Sequence, residues 1–126
     1  MDFTTKHNIY EQIADIFCER VLLKKFKEGE RIPSVRDFAL ELSVNPNTVM
    51  RSYDLLESLT IIENKRGIGF FLSIDGYEKV LSYRKNIFLE KELPVVVNTA
   101  ILLKISFEEL QELYSAHLKK SMQELL

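Results

Sequence analysis

The 126-residue chain has few of the residues that build covalent or metal-held frameworks. It contains one cysteine, Cys18, and two histidines, His7 and His117, which lie far apart in the sequence. A lone thiol excludes an internal disulfide framework, and the histidines do not have the spacing of a zinc site. We therefore expect no metal and no cofactor, and we expect Cys18 to pack inside a helix rather than to act as a nucleophile.

The sequence also lacks the patterns of membrane segments and of common catalytic sites. No apolar run approaches the roughly 20 residues that a membrane-spanning helix needs, and no charged leader with an apolar core opens the chain. We expect a cytoplasmic protein without a membrane partner. A glycine-rich phosphate loop and a set of serine, histidine and aspartate are missing as well, which predicts that the chain is not an enzyme.

An excess of positive charge is missing too. Residues 1–72 carry ten lysines and arginines against eleven acidic residues, and the remainder carries seven against eight. A basic domain would favour nucleic-acid binding more strongly. Within this balance, residues 64–74 contain no acidic residue, and residues 44–53 carry only Arg51 as a charge. Any attraction to a polyanion is therefore modest and confined to these two stretches.

The first of two closely spaced helices is predicted to begin after Ser34. The Ser34 hydroxyl can accept an unpaired N–H of the first turn, and Asp37 places an acid near the positive end of the helix. One apolar face follows at helical spacing, formed by Val35, Phe38, Ala39 and Leu42. This pattern predicts a short amphipathic helix.

A second helix is predicted almost at once. Asn45 is a suitable cap, Pro46 fits the first helical position, and Val49, Tyr53 and Leu56 form an inward stripe. Two helices joined so closely match the helix-turn-helix motif, whose second helix enters the major groove of DNA.

The outward face of the second helix carries the groups suited to DNA. Asn47, Thr48, Met50, Arg51 and Asp54 project away from the inward stripe. Amides and hydroxyls bind base edges or phosphates, and an arginine binds either. Taken singly, each residue is also compatible with an ordinary helix cap or a solvated side chain, but the combination favours a recognition helix.

A small hairpin is predicted after the second helix. Residues 61–62 open an extended run, residues 70–72 form an apolar return strand, and Lys65 and Arg66 place two positive charges at the turn beside Gly67. A plain hairpin with solvated ends is the alternative. After a helix-turn-helix, the pattern favours a DNA-contacting wing.

An opening helix is predicted to run from near Lys6 to Lys24. It carries an apolar stripe that covers the motif helices. The stripe consists of Ile9, Ile13, Ile16, Phe17 and Val21.

The C-terminal part reads as a helical tail. Asp75 is predicted to cap a helix that runs to about Glu92, and Pro94 is predicted to kink or briefly break it before a helix over residues 96–103. Residues 106–109 form a capping box for a last helix. One side of that helix is lined by Leu110, Leu113, Tyr114, His117, Leu118, Met122 and Leu125.

The tail has more apolar surface than so few helices can bury alone. A symmetric homodimer is the economical explanation, and burial against the chain's own winged domain is the alternative. The strongest interface candidates lie in residues 95–97 and 101–103, and they are Val96, Val97, Ile101 and Leu102.

Four stretches of the chain are similar to one known domain. Residues 9–13 are similar to its opening helix, residues 29–36 to the segment before its motif, residues 44–49 (Val-Asn-Pro-Asn-Thr-Val) to its recognition helix, and residues 66–72 to its wing. Together residues 5–73 resemble the winged helix-turn-helix domain of GntR-type transcription regulators, and within that family the YtrA-like branch.

The resemblance implies a mainly α fold with a small β wing (α+β). A DNA-binding domain at residues 1–73 precedes a short helical dimerisation tail at residues 74–126. The implied function is a repressor that binds double-stranded DNA as a homodimer at a roughly palindromic operator, with the recognition helix in the major groove and the wing near the minor groove. The expected DNA-contacting residues are Ser34, Arg36, Asn45, Asn47, Thr48, Arg51, Lys65, Arg66 and Gly67.

The chain departs from the family pattern at three positions. Ser43, between the motif helices, and Thr60, after the recognition helix, replace glycines that are usual in the family, which implies strained backbone at both. Met50 stands where many relatives outside this branch have arginine, so a guanine-reading contact cannot be carried over.

Three alternatives stay open at this point. In the first alternative, Arg36 forms a salt bridge with a nearby acid such as Glu41 instead of contacting DNA. The acidic balance and Met50 are compatible with a winged-helix protein-interaction module that has lost DNA binding, although Arg36, Arg51 and Arg66 are all basic. A small-molecule effector in a cleft at the dimer interface is compatible with a DNA-binding regulator.

Overall fold

A computed structural model of the chain describes residues 8–125, without the side chain of residue 125, and its packing divides them into two units, residues 8–88 and residues 89–125. The first unit contains α1 (Ile9–Leu22), α2 (Val35–Leu42), α3 (Pro46–Ser58), β1 (Ile62–Lys65), β2 (Gly69–Leu72) and α4 (Gly76–Ile87). The second unit contains α5 (Leu93–Leu102) and α6 (Phe107–Leu125). The predicted fold class, mainly α with a small β wing, is confirmed. The division into functional domains at residues 73 and 74 stays a prediction.

The core of the first unit forms around three aromatic rings. Helix α1 packs against α3 and α4, and α2 packs against α3. Phe17, Phe38 and Tyr53, one from each of α1, α2 and α3, are fully buried, with ring centroids 6.1 to 6.4 Å apart. The buried Tyr53 hydroxyl donates to the Pro33 carbonyl at 2.7 Å. These contacts fix α3 against both neighbouring helices, because packed aromatic rings combine large apolar burial with preferred geometries, here edge-to-face for Phe17 with Tyr53 and tilted for Phe38 with Tyr53.

The apolar stripe predicted on α1 is confirmed only in part. Ile9 and Ile16 are 52% and 37% exposed, whereas the other three stripe residues are buried. The buried face includes Ala14 and Cys18, so it is rotated away from the predicted stripe, and Ile9 and Ile16 fall beyond its edge. The predicted helix start near Lys6 lies outside the described residues.

The motif helices begin with the predicted caps. The Ser34 Oγ accepts a hydrogen bond from the Asp37 N–H at 3.1 Å, and the Asn45 Oδ1 accepts one from the Asn47 N–H at 2.8 Å. Between the helices, Ser43 adopts the left-handed conformation with φ 56°. The strained backbone expected where glycine is absent is therefore present, and it costs roughly 1–2 kcal/mol.

A second left-handed residue, Thr60, follows the recognition helix with φ 58°. Two neighbours bind it: the Lys79 Nζ donates to the Thr60 Oγ1 at 2.7 Å, and the Ser73 Oγ donates to the Thr60 carbonyl at 2.8 Å. Asp75 occupies the N-cap position of α4, but its side chain makes no capping hydrogen bond. The predicted side-chain cap is therefore wrong, because the Asp75 carboxylate instead pairs with Lys79 at 3.3 Å.

Strands β1 and β2 form the predicted wing. They pair antiparallel, with Lys65 opposite Gly69 at the tip. The backbone of residues 29–32 pairs with the other edge of β2, for example through the Ile32 N–H, which donates to the Phe70 carbonyl at 2.9 Å. The wing is thereby tied to the segment that leads into α2.

A kink or short break was predicted at Pro94, and the helix is irregular just before this proline. Phe88–Glu92 form a π-helical turn, and α5 begins at Leu93. Pro94 therefore sits in the first turn of a helix, where its missing N–H needs no partner. The chain stays helical through the proline rather than breaking there.

Helix α6 begins with one half of the predicted capping box, in which the Ser106 Oγ accepts from the Glu109 N–H at 3.1 Å. Its predicted apolar side is half-buried only at Leu110 and is otherwise exposed among the described side chains. Residues 111–120 are all exposed, including His117, for which packing was expected. The side chain of Leu125, which also belongs to that side, lies outside the described residues.

Candidate nucleic-acid interface

Helix α3 presents a polar outer face in its first turns. Asn47, Met50, Arg51 and Asp54 are exposed, and Thr48 is half-buried. The opposite side of the helix is anchored in the core. The structure thus places the predicted recognition residues on one accessible surface, and their contacts with DNA stay predictions.

The two cap residues keep donors that the caps do not use. Asn45 accepts through its Oδ1, which leaves its side-chain NH₂ free of partners among the residues that the structure describes. The Ser34 hydroxyl accepts a backbone hydrogen bond and keeps its own hydrogen as a donor. Both groups are therefore able to bind a phosphate oxygen without giving up the cap.

Arg36 is exposed on α2 and does not form the alternative salt bridge. Its expected partner, Glu41, instead accepts from the Arg20 Nη1 at 2.5 Å. Arg36 borders a groove of about 330 Å³ that Pro46 also lines. The structure therefore places Arg36 on the same groove as the first residue of the recognition helix.

Arg51 is the one cation of α3, and its guanidinium is held against α1. The Arg51 Cζ lies 4.2 Å from the centroid of the Tyr10 ring. Tyr10 was predicted to lie in the opening helix, and it is not among the residues predicted to contact DNA. A contact between residues so distant in the chain arises only from the packing of α1 on α3.

The wing tip carries the predicted cations on a constrained turn. Arg66 is exposed, and the Lys65 Nζ lies 4.3 Å from the centroid of the Phe71 ring. Gly67 has φ 79°, and a Cβ there would meet no atom within 4 Å. Glycine is therefore needed at this position for its backbone conformation rather than for space.

Arg31 is a further cation at the wing, and it is not among the residues predicted to contact DNA. A Cβ added to Gly69 would lie 2.8 Å from the Arg31 Nε, so the arginine side chain crosses the strand where glycine leaves room. This placement follows from the pairing of Arg31 with Phe71 across β2. The sequence pointed only to the segment before α2, because the contact depends on strand pairing.

Several acidic residues are engaged by cations elsewhere. Glu41 pairs with Arg20, and Asp15 pairs with the Arg84 Nη1 at 2.8 Å. These pairs join α1 to α2 and α1 to α4. Two acids of a nearly neutral unit are thus paired away from Arg36, Arg51 and the wing cations.

The four predicted dimerisation residues belong to the second unit. Val96, Val97, Ile101 and Leu102 are 41% to 67% exposed. On the same unit, an apolar groove of about 320 Å³ is lined by Val95, Val96, Thr99, Ala100, Leu103, Ile105 and Leu110. The exposed positions fit an interface, and the interface itself stays a prediction.

Cys18 has the expected place in the core. It is fully buried, and desolvation raises the pKa of its thiol from 9.0 to about 12, with smaller effects of Arg84 and Asp15. A neutral buried thiol is a packing residue. Within residues 8–125, no cluster of three or more histidine, cysteine, aspartate or glutamate side chains is arranged to hold a metal, and no helix is long and apolar enough to span a membrane.

Comparison with known proteins identifies relatives of this fold. A model of the family described as bacterial regulatory proteins, gntR family, matches residues 9–72. The HTH-type transcriptional repressor YtrA of Bacillus subtilis is 35% identical over 104 residues, which cover 82% of this chain and 79% of YtrA. The HTH-type transcriptional regulator YhcF of the same organism is 42% identical over 71 residues, which cover 56% of this chain and 59% of the length of YhcF.

A solved structure agrees with these relatives. The crystal structure of a GntR-family transcriptional regulator from Bacteroides thetaiotaomicron has a TM-score of 0.71 and 41% sequence identity, and the match covers 90% of this chain and 99% of that chain. These relatives are transcription regulators and not enzymes. With its exposed recognition helix and its wing inside the matched region, the chain belongs to the GntR family of DNA-binding transcriptional regulators, and it is similar to YtrA along most of its length.

Proposed function

We propose that the protein is a homodimeric repressor that binds a roughly palindromic operator in the cytoplasm. Each protomer places α3 in the major groove and its wing near the minor groove. The observation that carries the proposal is the exposed face of α3, where an amide, a hydroxyl and a guanidinium from Asn47, Thr48 and Arg51 stand together without an acid before Asp54. The repressor role is supported by the likeness to YtrA, which is named a repressor.

The contacts divide into two kinds. Asn47, Thr48 and Arg51 are proposed to meet base edges and phosphates from within the groove. Ser34, Arg36, Asn45, Lys65 and Arg66 are proposed to hold the DNA backbone, with Gly67 letting the wing turn approach it. Arg31 adds a cation to this second group because its side chain lies along the wing. Specificity then rests on few residues.

Dimerisation is proposed to supply the affinity for DNA that the nearly neutral charge does not. Residues 1–72 are almost neutral, so the electrostatic part of DNA binding is small. Two linked recognition helices bind far more tightly than one, because the second contact becomes intramolecular. The exposed apolar residues of the second unit, led by Ile101 and Leu102, are proposed to join the protomers.

Mobility-shift titrations test the proposal directly. The purified chain is mixed with duplexes from the region upstream of its own gene and with scrambled duplexes of the same composition. We expect a salt-sensitive shift that selects one upstream duplex. Equal binding to all duplexes, or no shift, contradicts the proposal.

The variant Arg51→Ala sharpens this test. It is expected to weaken binding to the selected duplex by about 1–3 kcal/mol, because a guanidinium contact to a base edge is lost. Lys85→Ala is the control, since it removes one exposed cation from α4. Equal losses for the two variants would assign Arg51 a general charge effect only.

A further inference from the structure

The side chain of Arg51 rests on an aromatic platform. Its Cζ lies 4.2 Å from the centroid of the Tyr10 ring, a distance at which a guanidinium is attracted to the negative face of the ring. Tyr10 lies in the first turn of α1 and is half-buried. The contact therefore joins the scaffold helix to the DNA-facing side of the recognition helix.

The platform itself is fixed to the recognition helix. The hydroxyl of Ser52, the residue after Arg51, shares its one hydrogen between the Tyr10 carbonyl at 2.7 Å and the Thr48 carbonyl at 3.1 Å, and the shorter contact is to Tyr10. Ser52 is fully buried, so this hydrogen bond is shielded from water. Tyr10 is consequently held at a set position relative to Arg51.

Stacking on Tyr10 leaves the donors of Arg51 available. Among residues 8–125, Arg51 forms no ion pair or hydrogen bond through its side chain. The ring contact through Cζ involves no acceptor, so the N–H donors of the guanidinium remain without a hydrogen-bond acceptor among the described residues. Arg51 is also the only cation of α3, and the neighbouring Met50 offers no donor to a base.

We propose that Tyr10 is a positioning residue for sequence recognition, which holds the Arg51 guanidinium in the orientation that reads a base. A long side chain normally loses rotamer freedom when it binds, and a side chain that is already stacked loses less. The proposal rests on the DNA-binding function proposed above. It gives the first turn of α1 a role in specificity as well as in scaffolding.

Affinity for two duplexes measures this role. The wild-type full chain first selects a duplex from a randomised pool, and a scrambled duplex of the same composition serves as the non-specific probe. Tyr10→Leu and Tyr10→Met both fill the site without an aromatic face, and the pair guards against a folding defect in one of them. We expect each to weaken binding to the selected duplex about three- to tenfold and to leave the scrambled duplex unchanged. Tyr10→Phe keeps the ring and is expected to stay within about twofold of wild type.

A double-mutant cycle separates positioning from a merely structural role. In an Arg51→Ala background, Tyr10→Leu is expected to cause no further loss, because the residue that it positions is absent. Additive losses, or equal weakening on both duplexes, would overturn the proposal. If wild type selects a duplex and Tyr10→Leu binds it as wild type does, the positioning role alone fails. If wild type selects no duplex, the proposed function fails first.

Discussion

The two units of the chain differ in where their apolar side chains lie. In residues 8–88, Phe17, Phe38 and Tyr53 are completely buried, and an aromatic cluster joins three helices. In residues 89–124, Ala100 is the only buried residue, although the unit contains many large apolar side chains. The first unit completes its core within one chain, and the second does not.

This difference indicates separate tasks. A unit with a finished core can hold a recognition helix and a wing in fixed positions, as precise contacts require. Ile101 and Leu102 of the second unit are about two-thirds exposed, which fits the proposed dimer interface, because monomers rarely leave large apolar patches open. We therefore expect substitutions in the first unit to change the free energy of unfolding, and substitutions in the second unit to change the association of protomers.

The largest effect is expected for a large-to-small substitution in the first core. Phe38→Ala is expected to lower the free energy of unfolding by about 3–5 kcal/mol, because it removes a fully buried ring and leaves a cavity. Phe107→Ala, at a phenylalanine that is 73% exposed in the second unit, is the matched control. Urea denaturation measures both variants. Similar losses for the two would show that the second unit buries Phe107 in a core of its own.

A charge in the second unit is expected to act on association. Leu102→Glu is expected to raise the dimer dissociation constant at least about 30-fold, because an interface cannot bury an unpaired carboxylate cheaply. Sedimentation velocity over a concentration series measures this constant. The control Leu40→Glu changes a leucine on α2 that is equally accessible, and it should leave dimerisation as in wild type. A dimer that is unchanged in Leu102→Glu would place the interface elsewhere, and equal losses in both variants would show a general effect of the added charge.

Because Cys18 is buried in the core of the first unit, we expect the free energy of unfolding to depend on pH. Burial raises the pKa of the Cys18 thiol from 9.0 to about 12, so the folded chain keeps its proton while the unfolded chain loses it. The contribution of the buried thiol to the free energy of unfolding is therefore fully present below the ordinary pKa of 9.0, and it decreases as the pH rises above that value. From about pH 8 to about pH 10 we expect a loss of about 1 kcal/mol in the free energy of unfolding.

Cys18→Ala isolates this contribution. The variant starts less stable because it loses packing, but its stability should fall less over the same pH interval. Tyr53, whose pKa is also raised by burial, contributes equally to both proteins at still higher pH. An identical slope in wild type and variant would show that the thiol is not desolvated.

The smallest effect, below about 1 kcal/mol, is expected for Arg66→Ala at the wing tip. A phosphate contact does not depend on sequence, so binding should weaken equally on selected and scrambled duplexes. The dependence of log affinity on log salt should become shallower by about 1. A loss confined to the selected duplex would instead make the wing a reader of sequence.

Local features of the fold could be predicted from the sequence because they depend on near neighbours. The caps at Ser34 and Asn45, the inward stripe of α3 and the glycine turn of the wing all follow from residues within one helical turn or one hairpin. Arg51 and Arg66 were selected from their local position on a helix face and at a turn, and Arg36 from the family resemblance; all three are exposed, and their contacts with DNA stay predictions.

Features that depend on distant packing could not be predicted. The contact of Tyr10 with Arg51 requires the docking of α1 on α3, and the path of Arg31 across Gly69 requires a strand pairing. The exposure of Ile9 follows from the same limit, since periodicity gives a helical face but not the width of the surface that covers it.

Hydroxyl-radical footprinting on the selected duplex tests the central claim. The claim is that each chain has one DNA-binding unit with a complete core, and that two chains associate through the exposed apolar residues of the second unit. We expect two protected half-sites about 34 Å apart on one face of the DNA, related by two-fold symmetry. Both should disappear together in Leu102→Glu at concentrations that saturate the wild type. A single protected site that is unchanged in Leu102→Glu would contradict the account.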